Sequence, residues 1–111
     1  MGYYTEFNGE IIFDKPVTLE DAKIIEEVVY LGTNWDDEGK VLSIYESMKW
    51  YDVKEDIAGL VKQLSSKYNM RGQIDCNGEE YGDIWRIVIK DNKVYVAQSE
   101  IVFGPTMEVK V

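Results

Sequence analysis

Residues 52–68 read DVKEDIAGLVKQLSSKY, and their spacing decides the architecture. Ile57, Leu60, Val61, Leu64 and Tyr68 fall at i, i+3, i+4, i+7 and i+11, one unbroken stripe along a helix face. Asp52 with Glu55 reads as a capping box at its start, and Asn69 ends it. A helix striped on one side must lay that side on another layer. Working towards the N-terminus, Thr18 reads as the cap of an earlier helix, with Asp21 at its third position. Leu19, Ala22, Ile25, Val28 and Val29 form its apolar side, and Gly32 a C-terminal stop. Glu20, Asp21, Glu26 and Glu27 are expected on its wet side.

The remaining segments read as strands joined by loops and turns. Residues 3–13, YYTEFNGEIIF, open the chain with Tyr4, Ile11 and Phe13 inward and a bulge or tight turn at Asn8-Gly9. Residues 33–39 read as a loop, KVLSIYES as a strand and MKWYD as a short extended piece. MRGQIDC alternates and is expected to turn at Asn77-Gly78. In DIWRIVIK, Trp85, Ile87 and Ile89 share one face, and Ile84, Arg86, Val88 and Lys90 the other. Asp91-Asn92 is a two-residue hairpin turn. KVYVAQSEIVF returns from it, Gly104-Pro105 breaks it, and MEVKV offers a further edge strand. The expectation is a single α+β domain over residues 1–111, ordered β-α-β-α-β-β-β. Two amphipathic helices would pack on one face of an antiparallel sheet, a variant of the ferredoxin-like arrangement.

The 111 residues are 45% apolar with 14 aromatics, enough for a core and too many for a disordered chain. No apolar run approaches the ~18 residues of a membrane span, and no signal peptide is visible. A lone cysteine, Cys76, cannot form an internal disulfide, so a reducing cytoplasm is the expected setting. Twelve basic residues against 21 acidic ones give a net charge of −9. Residues 1–40 hold ten acids and three lysines, net −7; residues 41–111 hold eleven acids and nine bases, net −2. Direct binding to a phosphate backbone, which relies on Lys/Arg patches, is disfavoured. The surplus serves solubility, or it steers the molecule to a basic partner.

The sequence contains no histidine, which removes the usual general base and excludes Ser-His-Asp and Cys-His nucleophiles. Cys76 lies beside Asp75, which disfavours a thiolate; it reads as a small buried hydrophobe. No glycine loop carries the phosphate-binding pattern with its lysine. Paired-carboxylate catalysis has candidates only on one loop, Glu79, Glu80 and Asp83, with no opposed partner. Asn34, Asp36, Glu38 and Gly39 fit the early positions of a calcium loop. Tyr45 then stands where the bidentate glutamate belongs, so the segment reads as a solvated acidic turn. No cofactor is expected.

Two acidic loops remain as candidates for binding a partner: Trp35, Asp36, Asp37 and Glu38, and Glu79, Glu80 and Tyr81. Trp35 either pins its loop to the core or stands out as a docking anchor. Trp50 and Tyr51 are expected under the second helix, and Trp85 in the core. In GEEYGDIW, residues 78–85, the glycines serve the backbone and Trp85 the core, leaving Glu79, Glu80 and Tyr81 at the tip. As acids on a hairpin they are either simply solvated or face a basic partner.

MGYYT at the start, KWYD followed by EDI, and GEEYGDIW resemble a family of short phage and prophage proteins with the pattern MGYYT, KWYD-x-x-EDM and G-E-E-x-x-D-x-W. Val53 stands where that family often has histidine, and Ile57 replaces its methionine. The resemblance implies a setting, a phage or prophage gene acting in a bacterial cytoplasm, more than an activity. The expected function is that of a non-catalytic anti-defence inhibitor, of anti-CRISPR or anti-restriction type. It would block a basic surface of a host defence protein, with its acids mimicking phosphates. The alternatives are a homodimeric interaction module pairing an exposed edge near residues 94–103, and a non-catalytic binder of a small ligand such as a nucleotide messenger.

Overall fold

A computed structural model describes residues 3–29 and 34–111. The order is β1 (Thr5–Phe13), α1 (Leu19–Val28), β2 (Asn34–Trp35), β3 (Val41–Met48), α2 (Val53–Leu64), β4 (Met70–Gly78), β5 (Ile84–Lys90) and β6 (Lys93–Gln98). The six strands form one antiparallel sheet in the order β2-β3-β1-β4-β5-β6. The α+β class with two helices on one face is as the sequence suggests. The sheet has one strand more, because Asn34 and Trp35 pair with Ser43 and Leu42.

Strand β1 organises the sheet. It is paired without interruption on both sides, Thr5–Met48 to Ile12–Val41 with β3 and Thr5–Gly78 to Phe13–Met70 with β4. Its odd residues Phe7, Ile11 and Phe13 face the helices, and register passes that parity to Leu42 and Ile44 of β3 and to Met70, Ile74 and Cys76 of β4. Ile87 and Ile89 of β5 continue the layer. Ile57, Leu60, Val61 and Leu64 of α2, with Ile25 of α1, close it from above. Each such side chain contributes roughly 1.5–3 kcal/mol by leaving water. The other sheet face carries Glu6, Asn8, Glu10, Gln73, Asp75 and Arg86, with no helix over it among the described residues.

Several local expectations are corrected. Asn8-Gly9 is neither bulge nor turn, since the ladders run through it. Gly9 is required there because a Cβ would collide with the backbone carbonyl of Gln73 on β4. Tyr4 is half exposed rather than inward, and Leu19 is 85% exposed. Asn77 and Gly78 extend β4, and the turn falls on the four residues that follow. The strand after the Asp91-Asn92 turn ends at Gln98, and residues 99–111, MEVKV included, form no strand. The hairpin itself is as expected, with φ of 51° at Asp91 and 59° at Asn92. Asp52 makes no side-chain cap bond, so the second capping box does not form, whereas Thr18 does accept from the Asp21 amide at 3.1 Å. Gly32 and Thr33 lie outside the described residues.

Asp21 departs most from its expected place on the wet side. It is 1% exposed. The Tyr68 hydroxyl donates to its Oδ2 at 2.6 Å and Lys67 Nζ to its Oδ1 at 3.1 Å, clasping α1 to the turn after α2. Tyr68 also accepts from the Thr18 amide at 3.2 Å, and its ring meets Phe13 edge-on. Tyr68 first, then Lys67, hold the Asp21 carboxyl below the usual carboxylate range, against the opposing cost of burial.

Two outcomes follow for stability. Gly9→Ala should cost about 1–3 kcal/mol in urea unfolding through overpacking, while Asn8→Ala next door stays within about 0.5 kcal/mol. Equal effects would contradict the close strand approach. The clasp gives a pH signature. A depressed folded pKa contributes stability above the unfolded value of about 3.9, lost as pH falls through the folded pKa. Tyr68→Phe removes the main cause of the depression, so acid unfolding followed by circular dichroism should move to higher pH; an unmoved midpoint would count against the clasp.

Candidate functional site

The turn between β4 and β5 is built as a braced tip. Gly78 N–H donates to the Asp83 carbonyl at 2.8 Å, and Asp83 N–H to the Glu80 carbonyl at 3.1 Å. Gly82 takes φ of 81°, which glycine adopts without strain. Tyr3 enters from the far end of the chain. Its hydroxyl donates to Asp83 Oδ2 at 2.6 Å and accepts from the Glu80 amide at 2.9 Å. The Tyr4 amide donates to Glu79 Oε1 at 2.7 Å, and the Tyr3 amide to the Tyr51 hydroxyl at 3.0 Å. The Asp83 bond, foremost, holds the Tyr3 phenol above its ordinary pKa. Tyr81 crowns the tip at 99% exposure, directly after Glu79 and Glu80.

The second candidate loop has a different build. Trp35 packs its ring against Phe13 with centroids 5.7 Å apart and leans on the core, so it is half-buried rather than free-standing. Its indole N–H is buried and has no hydrogen-bond partner among the described residues. Asp36 Oδ1 accepts from the amides of Lys40 at 2.7 Å and Val41 at 3.0 Å. Val41 first among these amides pulls its carboxyl below the usual range. Its charge therefore locks the loop. Asp37 and Glu38 remain outward, and Glu38 lies 3.2 Å from Lys40.

The two candidate loops do not meet. Glu79–Tyr81 lie beyond the Thr5 end of β1 and Asp36–Glu38 beyond its Phe13 end. A nine-residue strand separates them by roughly 27 Å. Sequence reasoning missed Tyr3 and Tyr51, because the partners that give Tyr3 its role are 77 and 80 residues away. Trp50 does lie under α2, donating to Asp56 at 2.7 Å, while Tyr51 is exposed.

Other chemistry finds little purchase. Cys76 is buried, and burial first, then Asp75, pushes its thiol up to about 12. Among the described residues no three His, Cys, Asp or Glu side chains gather to hold a metal. A groove of about 380 Å³ lies on the helix-free sheet face, where Asp75 and Arg86 meet at 2.7 Å between Glu6 and Ile84. No described helix is long and apolar enough to cross a membrane. In comparisons with known proteins, no family model, curated protein or solved structure matches the chain.

The Tyr3 brace can be read directly. A raised phenol pKa contributes order below the unfolded value of about 10 and loses it as pH rises through the folded pKa. A tyrosinate absorbance titration should therefore lose a late-ionising phenol in Tyr3→Phe. The same variant should speed amide exchange at Glu80 and leave the core amides unchanged. A titration indistinguishable from the parent chain would remove the brace.

Proposed function

We propose that this chain is a non-catalytic binding protein of phage or prophage origin, an anti-defence inhibitor acting in the host cytoplasm. It docks the 78–83 tip onto a basic surface of a host defence protein. The observation that carries this reading is Tyr81, fully exposed directly after Glu79 and Glu80 on a turn already held by Tyr3. Tyrosine is prominent among residues that dominate interface energetics. A turn ordered before binding loses little entropy on docking. Glu79 and Glu80 supply the rim charge, and the net charge of −9 speeds approach to a basic partner. The absence of histidine and the buried, high-pKa thiol favour binding over bond-making.

The acids at the far end, Asp37 and Glu38, belong to the same negative field. A partner that touched both ends would have to span the length of β1. Blockade of a protein surface by the tip therefore accounts for the geometry better than continuous mimicry of a nucleic-acid strand.

The test uses a purified CRISPR effector or restriction enzyme from the host, with its DNA binding measured at several salt concentrations. The chain should weaken that binding. Tyr81→Ala should cost the inhibitor about tenfold or more in affinity, in line with hot-spot losses of about 2 kcal/mol. Glu79→Gln with Glu80→Gln should chiefly slow association and flatten its salt dependence. Undiminished DNA binding across the host's effectors would overturn the proposal.

A further inference from the structure

Residues 100–111 run on from the β6 hairpin as an exposed arm. Residues 99–111 form no strand beyond the Ser99 amide's bond to the Ile84 carbonyl at 3.0 Å, and Ile101, Val102, Phe103, Met107 and Val109 are each 65% exposed or more. The molecule is 63 Å long, with a radius of gyration of 16.8 Å against about 13 Å for a compact chain of this length. β6, from which the arm leaves, is an edge strand with its outer ladder open. It lacks proline and carries a single charge, Lys93, so it has few of the usual edge protections. Tyr95 and Val96, on opposite faces, are 51% and 45% exposed. Monomers rarely leave a contiguous apolar surface of more than a few hundred Å² open to water.

Charge selects the occupant. Residues 93–111 contain Lys93, Lys110, Glu100 and Glu108, a net of zero, so the whole surplus of −9 lies in residues 1–92. A basic partner would be drawn elsewhere. Two copies would meet here without the repulsion that separates the rest of their surfaces. Strand parity allows it. With a two-fold axis perpendicular to the sheet, Val94, Val96 and Gln98 of one copy lie opposite the same set on the other, and the helices stay on one side. An arm of twelve residues reaches up to roughly 43 Å, far enough to cross the seam onto the partner's sheet.

We infer that residues 93–111 form a homodimer interface, in which the β6 edges pair antiparallel and each arm covers apolar surface of the other copy. The arm leaves the domain beside the base of the Tyr81 tip, where Ile101 adjoins Gly82; dimerisation is read by mass and tip docking by effector binding, so either can fail alone.

Sedimentation equilibrium on the full chain should give twice the 12.8 kDa chain mass, with little dependence on salt. Phe103→Asp, on the exposed arm outside the core, should weaken the dimer at least tenfold while leaving the circular dichroism spectrum unchanged. Ending the chain after Gln98 should do the same. The β6 amides that point away from β5 should be protected from exchange in the full chain and not in either variant. A full chain at 12.8 kDa across the concentration range would overturn the inference, as would a dimer indifferent to both variants. A monomer that co-floats with phosphatidylcholine vesicles through its arm would overturn it in favour of a lipid surface.

Discussion

Every strand in the sheet takes its inside and outside from β1. Because β1 is paired on both edges along nearly its whole length, its alternation is copied outwards, to β3 on one side and to β4, β5 and β6 on the other. A shift of one residue in either ladder would turn the buried row of the neighbour towards water and the polar row towards the helices. Gly9 sits midway along this strand. It lets the β4 backbone come closer than a Cβ would permit, and Gly72 does the same from β4 towards Glu10. The helices then need only cover one face, and the Asp21–Tyr68–Lys67 clasp fixes how α1 sits beside the end of α2.

Where burial follows from local periodicity, the sequence was readable. The α2 stripe is buried at every position named, and the two faces of β5 fall as alternation requires. Where position depends on a distant partner, it was not. Asp21 looks like any first-turn acid of a helix, and nothing within ten residues announces that Tyr68 will receive it. Asn8-Gly9 and Asn77-Gly78 carry turn chemistry, yet both lie in ladders whose partners overrule local preference. The converse case is SEIVF, residues 99–103, which has the composition of a strand. β5 begins at Ile84, whose carbonyl accepts from the Ser99 amide, so residues 100–103 run past the end of that strand and have no β5 backbone opposite them.

The candidate site shows the same division. Exposure of Tyr81 and the two glutamates before it could be anticipated from a glycine-bounded acidic turn. The hydrogen bonds that brace their turn could not, because they come from Tyr3 and Tyr4, some 75 to 80 residues away. Trp35 shows how an aromatic in an acidic loop can be drawn to the core. Its neighbour Asp36 satisfies the amides of Lys40 and Val41, which aims the loop so that the indole falls on Phe13. What remains outward there is charge without an aromatic anchor, whereas the tip at the opposite end has both.

This separation of roles has an electrostatic logic. A molecule with strong net negative charge repels its own copies, and it does so most where its acids are densest. Self-association and partner capture by one surface would therefore oppose each other. Here the net negative surplus lies in residues 1–92, and the β6 edge and its arm carry no net charge. Ile101 runs past Gly82 at the base of the tip, within 3.6 Å of where a Cβ on that glycine would stand. The neutral surface thus begins where the charged one ends. Joining two copies through the arms would place two Tyr81 tips on one particle, and a partner with two such sites would be held by both. The resulting gain would come from effective concentration and would require no change in the contacts of either tip.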